Sequence, residues 1–145
     1  MKRQSDPQMH STEHILNQTM VRLYNCGRCF TAHIGRKKSK CDYHFDHTLT
    51  DEEVAEIQSR VNRVIDSDLP VTESFVSKDE AERLYNTQKL PNDVGAHIRV
   101  VHIGDYDSCP CIGEHVTSTR EIGTFRITTI SFADGNLRIR FKLSS

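Results

Sequence analysis

The chain has 145 residues, 36% hydrophobic and 27% charged, with few aromatics and no Trp. That balance suits one soluble domain with an aliphatic core, burying roughly two thirds of the surface its unfolded chain exposes. Lys and Arg number 19 against 20 Asp and Glu, a formal net charge of -1, which excludes a strongly basic nucleic-acid coat but not a local basic patch.

No window approaches ~18 apolar residues and no apolar run follows the N-terminus, so a cytoplasmic protein that avoids membranes is expected. Five cysteines are an odd count for a disulfide framework, and reduced thiols serving a metal fit better. Eight histidines raise the expectation of metal chemistry without locating it.

Asp6-Pro7 offers an N-cap and a proline at the first helical position, and Met9, Ile15, Leu16, Met20, Val21, Leu23 and Tyr24 extend a helix to about Asn25. Residues 30–34 and 41–46 read as two strands joined by a basic tip, Gly35 to Lys40. Alternation puts Cys41, Tyr43 and Phe45 on one face of the second strand and Asp42, His44 and Asp46 on the other.

Thr50-Asp51-Glu52-Glu53 is a capping box before an amphipathic helix that ends near Asp66. A short strand, 71–76, and a second box, Ser77-Lys78-Asp79-Glu80, precede a short helix to Tyr85. Residues 86–96, with Pro91 and Gly95, read as loop, 98–103 as strand, and 105–114 as loop. Residues 123–132 and 137–143 form a hairpin whose last strand alternates Leu137, Ile139, Phe141 and Leu143 with Arg138, Arg140 and Lys142. The order predicts one α+β domain over residues 1–145, two-layered, with helices packed on one face of a largely antiparallel sheet.

Two short stretches carry the chemistry. His10-Ser11-Thr12-Glu13-His14 places two imidazoles on one helix face, and Cys111-Ile112-Gly113-Glu114-His115 supplies a thiolate and a third imidazole. Three His and one Cys make a credible tetrahedral zinc shell. Other readings stay open on the residues alone. His10 to His14 also matches the H-x-x-E-H peptidase motif with Glu13 as base, although such enzymes are much larger and take a further Glu ligand. Cys26 and Cys29 form a possible zinc ribbon with Cys109 and Cys111, and Cys109 is an alternative ligand to Cys111. Cys26 lies twelve residues beyond His14, roughly 18 Å along a helix, too far to share its ion.

His10-x3-His14, with Cys111 to Val116 followed by Thr119-Arg120-Glu121-Ile122-Gly123, resembles the editing domain shared by alanyl- and threonyl-tRNA synthetases, whose stand-alone form is the AlaX type of alanyl-tRNA editing protein. His47-Thr48-Leu49-Thr50 before the 54–65 helix looks like the corresponding part of threonyl enzymes, and the Leu137-Arg138-Ile139 strand is similar too. The chain departs from the usual Cys-Gly-Gly-Thr-His motif at Ile112 and Glu114, and carries Cys109 where many threonyl relatives have Asp.

The resemblance implies the family fold, hydrolysis of the ester joining a wrong amino acid to tRNA, and a Zn2+ held by His10, His14, Cys111 and His115. The chain's size looks like the short AlaX form, which implies removal of serine or glycine from alanine tRNA. An aminoacyl-tRNA, in the first place alanine tRNA, is the implied partner, and a homodimer stays open. Glu13 and Asp105 are the candidate catalytic carboxylates, and Thr12, Lys89 and Glu114 the candidate substrate contacts. Arg36, Lys37, Lys38, Lys40, Arg138 and Arg140 are candidate tRNA contacts, with a solvated charged face as the bland alternative. A non-catalytic tRNA- or synthetase-binding module, and a zinc hydrolase of another small ester or amide, are the competing functions.

Overall fold

The structure is a computed structural model that describes residues 6–85 and 97–144. The loop expected over 86–96, with the candidate contact Lys89, lies outside the described residues.

Helix α1 spans Pro7–Tyr24; Asp6 caps it by accepting from the Gln8 and Met9 amides at 3.0 and 3.2 Å. Asn25, in the left-handed region at φ 54°, stops it. The helix is buried on more than its apolar stripe, since Ser11, Thr12, Glu13, His14, Asn17 and Thr19 are covered along with Met9, Ile15, Leu16 and Met20. A helix with so many buried polar groups needs partners for each, and those partners build the site.

Strands β1 (Thr31–Ile34) and β2 (Ser39–His44) follow, then α2 (Asp51–Asp66), opened by the expected capping box: Glu53 N to Thr50 Oγ1 at 3.1 Å and Thr50 N to Glu53 Oε1 at 2.9 Å. Next come β3 (Val71–Ser77), α3 (Lys78–Leu84), β4 (His97–Ile103), β5 (Asp107–Pro110), a 3-10 turn (Thr119–Ile122), β6 (Thr124–Ala133) and β7 (Asn136–Ser144).

The α+β class holds, and the strands divide between two antiparallel sheets, β1-β2-β7-β6 and β3-β4-β5. The core is formed by Ile15, Leu16 and Met20 of α1, Ile57, Val61 and Ile65 of α2, and the inner face of the larger sheet, where Cys41, Tyr43, Phe125, Leu137, Ile139 and Phe141 are fully buried. Thr119 ties the 3-10 turn to α2, its hydroxyl lying 3.1 Å from both the Val64 and Ile65 carbonyls and 2.8 Å from the Leu69 amide.

Two expectations change. Residues 107–110, read as loop, form β5, with Val101 opposite Cys109 and Ile103 opposite Asp107. Four residues ending in Pro110 show no alternation to read, and an edge strand tolerates a proline that has no amide to donate. Asp42, assigned to the outer face of β2, is only 3% exposed, because Arg138 on β7 covers it with two hydrogen bonds of 2.8 and 3.0 Å.

Candidate metal centre

The β4–β5 turn brings the two halves of the site together. Gly104 adopts φ 50°, a left-handed conformation that glycine accepts readily, and a Cβ there would sit 3.1 Å from Leu69. Tyr106 docks the turn on α1: its hydroxyl lies 2.6 Å from Thr19 Oγ1, its carbonyl accepts from Arg22 at 2.7 Å, and the Arg22 guanidinium lies 4.2 Å from its ring centre. From there β5 runs to Cys111, whose amide donates to the Arg99 carbonyl at 3.2 Å.

His10, His14, Cys111 and His115 converge, each offering a ligand atom within 4.8 Å of the others. Cys111 Sγ lies 3.3 Å from His10 Nε2 and 3.4 Å from His115 Nε2. Tetrahedral zinc, with Zn–S about 2.3 Å and Zn–N about 2.0–2.1 Å, sets sulfur and nitrogen roughly 3.5 Å apart, so the donors already stand at ligand spacing. His10 Nδ1 is buried without a hydrogen-bond partner among the described residues, and its ring rests on Gly113, where a Cβ would come within 2.1 Å of His10 Cε1.

The electrostatics suit a cation. Burial pushes the Cys111 thiol up, but hydrogen bonds from His10, His115 and His14 outweigh it and bring the pKa to about 3. Burial pushes His14 down, and Asp107 with Cys111 raises it to about 9. His115 is held below its ordinary value, chiefly by burial, whereas the raised His14 carries a proton at neutral pH that an incoming ion would have to displace. The cluster therefore sets a thiolate, Cys111, among three ring nitrogens. A soft or borderline divalent ion matches this donor set.

An outer ring of polar groups holds the four candidate ligands. Asp107 Oδ2 lies 3.4 Å from His14 Nδ1, a charge contact without the alignment of a full hydrogen bond, since that nitrogen has no hydrogen-bond partner among the described residues. Asp107 Oδ1 accepts from Arg28 at 2.7 Å and Gln18 at 2.8 Å. Burial opposes its ionisation, but His14 and Arg28 hold the carboxyl well below the usual range. Ser11 Oγ lies 3.0 Å from His115 Nδ1 and accepts from the Val116 amide at 3.1 Å. Such partners fix the tautomer and tilt of metal-binding imidazoles.

The other expected site residues fall as follows. Glu13 is 9% exposed, with Oε1 3.8 Å from His10 Nε2 and Oε2 accepting from the Cys29 thiol at 3.4 Å. Asp105 is exposed in the turn; the carboxylate against the candidate ligands is Asp107, the first residue of β5, which the pairing with Ile103 of β4 carries inward. Thr12 is fully buried and donates to the Gln8 carbonyl at 2.6 Å, so Ser11, one residue earlier, is the hydroxyl that reaches the centre. Ile112 (67% exposed) and Glu114 are exposed.

The zinc ribbon is not formed. Cys29 sits with Glu13 and Cys41, Cys26 makes contacts with the Met20 and Gly27 carbonyls, and Cys109 faces the Pro110 carbonyl with its thiol pushed up to about 11 by burial. Cys109 therefore does not replace Cys111 in the histidine cluster.

Of the basic candidates, Arg36, Lys37 and Lys38 are exposed, Lys40 and Arg140 half-buried, and Arg138 is paired with Asp42. Two further basic residues were missed. Arg120 shares a surface cleft with Arg36, Asp6, Gln8 and Glu121, and Arg126 stands opposite Lys142. The apolar alternation of Phe125 and Ile127 is the sequence signal that sets Arg126 on the outer face.

Residues 98–140 match the family model described as the threonyl and alanyl tRNA synthetase second additional domain. Over those residues the chain carries the sequence pattern of that domain, and along most of its length it is similar to an alanyl-tRNA editing protein. It is 34% identical over 140 residues to the alanyl-tRNA editing protein AlaX-L of Pyrococcus horikoshii, covering 96% of this chain and 34% of that protein. It is 36% identical over 113 residues to the alanine–tRNA ligase of Methanopyrus kandleri (76% of this chain, 12% of the ligase), and 34% identical over 147 residues to that of Methanothrix thermoacetophila (97% and 16%). The chain thus spans about a third or less of the length of these relatives.

Proposed function

We propose that this chain is a zinc-dependent trans-editing hydrolase that removes a wrong amino acid from aminoacyl-tRNA, foremost serine or glycine from alanine tRNA. The observation that carries the reading is the convergence of His10, His14, Cys111 and His115 at ligand spacing, in a chain similar along 96% of its length to a protein named for alanyl-tRNA editing. A zinc ion held there supplies Lewis acidity toward the ester carbonyl or a bound water.

The remaining work falls to the chain. Asp107 and Ser11 keep His14 and His115 aimed, and Gly113 leaves room for the His10 ring. We assign Glu13 to orient the attacking water, because its carboxylate reaches His10. Water adds to the ester carbonyl, the bond to the ribose oxygen breaks, and amino acid and free tRNA leave. Ile112 and Glu114 are exposed between Cys111 and His115, which supports assigning them to contact with the aminoacyl group.

The outer face of the larger sheet suits a polyanion. Lys40 lies opposite Arg140, and Lys142 opposite Arg126, two like-charge pairs in register. Directly opposed like charges destabilise a sheet, and phosphates bound across them offset that repulsion.

The test is to incubate zinc-loaded protein with Ser-, Gly- and Ala-charged alanine tRNA and with Ser-charged threonine tRNA, beside a His10→Ala control. Release of serine or glycine that the control loses supports the reading. Saturable tRNA binding without release overturns it in favour of a binding module.

A further inference from the structure

A second group of potential ligands lies behind the first. Glu13 of α1, Cys29 in the segment before β1, and Cys41 of β2 bring a carboxylate oxygen and two sulfurs within 4.8 Å of one another, and all three residues are buried. They come from three parts of the chain, and Asn17 holds the arrangement: its Oδ1 accepts the Cys29 amide at 3.1 Å and the Tyr43 hydroxyl at 2.7 Å. From the Cys29-Asn17 bond and the β2–β7 ladder, in which Cys41 faces Ile139, two of the three ligands are fixed by backbone rather than by a mobile side chain.

We propose that Glu13, Cys29 and Cys41 form a second binding site for a thiophilic divalent cation of the zinc class, joined to the histidine centre by the Glu13 carboxylate. The proposal does not rest on the deacylase reading.

Three observations support it. First, the spacing fits: Cys29 Sγ lies 3.4 Å from Glu13 Oε2, and tetrahedral zinc with Zn–S about 2.3 Å and Zn–O about 2.1 Å sets these atoms roughly 3.6 Å apart. Second, the donor set is selective, because two sulfurs with one carboxylate oxygen favour zinc-like ions over the hard cations that take oxygen alone. Third, Glu13, Cys29 and Cys41 are only 9%, 3% and 0% exposed, so a cation held among them would meet the carboxylate and thiolate charge away from water, where opposite charges attract most strongly.

Glu13 gives the site its consequence. One of its oxygens faces His10 Nε2 at 3.8 Å while the other faces Cys29. An ion on the cysteine side fixes the carboxylate, and with it a negative charge beside the first centre. Binding replaces the two thiol protons, which pass to solvent, and involves no change of oxidation state. The fourth position is left to water or to an oxygen from the Tyr43–Asn17 pair beside it.

The experiment counts and identifies bound metal in the full chain. Protein stripped of metal under reducing conditions is titrated with Co2+, following the near-ultraviolet sulfur-to-metal charge-transfer band, and zinc content is measured in parallel. The expected result is about two equivalents per chain, falling to about one in the Cys29→Ser/Cys41→Ser variant. Because that variant changes buried positions, a second arm uses Cys111→Ser, which removes the only thiolate of the histidine centre. This variant must still bind Co2+ with an intense thiolate band. One equivalent in the unaltered chain, or loss of the thiolate band in Cys111→Ser, overturns the proposal.

Discussion

Gly113→Ala isolates the geometry of the histidine centre with one methyl group. The Gly113 backbone lies outside the left-handed region, so alanine is tolerated there and the effect is steric alone. The new Cβ would stand 2.1 Å from His10 Cε1 and 2.3 Å from Nδ1, so the ring must retreat by about 1 Å or more to restore ordinary contact. A displacement of that size takes His10 Nε2 out of ligand range, since metal–nitrogen distances tolerate only about 0.2 Å. The expected loss of metal affinity is about 10- to 100-fold, or about 1.4 to 2.8 kcal/mol. Competition against a chromophoric chelator measures it, with urea denaturation of the metal-free protein to show that the fold persists. The decisive control is a double-mutant cycle: in a His10→Ala background, Gly113→Ala should cost nothing further. An equal loss in both backgrounds, or an unchanged affinity in the single variant, would refute the assignment of Gly113 as the residue that makes room for His10.

Asp107→Asn removes the charge facing His14 and leaves Arg28, 19% exposed at its side chain, without its carboxylate; denaturation should show a loss of about 3 kcal/mol, and metal affinity should fall about tenfold. Asp42, held below its ordinary pKa by the hydrogen bonds from Arg138, contributes stability that is present above the unfolded value of about 3.9 and is lost as pH falls through the lowered folded value. Asp42→Asn should therefore flatten the stability profile on the acid side and leave its slope above pH ~6 unchanged. If tRNA tracks the outer face of the larger sheet, replacing Lys40 or Arg140 by Gln should weaken binding for all tRNA sequences alike and reduce the slope of log affinity against log salt by about 1 per residue; an unchanged slope would remove that face from consideration.

The parts of the fold legible in the sequence were those with local signals. Asp6-Pro7 and the Thr50/Glu53 box announce α1 and α2 through backbone groups within three residues, and the alternation in 137–143 announces β7 through its two faces. The four candidate ligands were legible for the same reason, since three- and four-residue spacings are set by helix and turn geometry. What escaped depends on pairing between distant segments. β5 exists because β4 accepts it, and only that register separates the buried Asp107 from the exposed Asp105. The choice between Ser11 and Thr12 is a matter of helix phase, decided by where His115 docks. Arg138 resembles Arg140 and Lys142 in sequence, and only the Asp42 register marks it as an internal ion pair. The meeting of Glu13, Cys29 and Cys41 joins a helix, a connecting segment and a strand, and no spacing rule reaches across them.

The contact between His10 and Cys111 joins residues 101 positions apart, and that separation matters to the polymer as well as to the chemistry. An ion gripping both ends closes a loop spanning most of the chain, as a disulfide would, and chain-entropy arguments give about 4.7 kcal/mol for a loop of about 100 residues. A structural consequence follows for the unfolded ensemble. Metal captured before collapse would hold α1 against the β4–β5 hairpin and restrict the search for the remaining sheet pairing, so refolding in zinc should differ from refolding in chelator in its rate as well as in its end point.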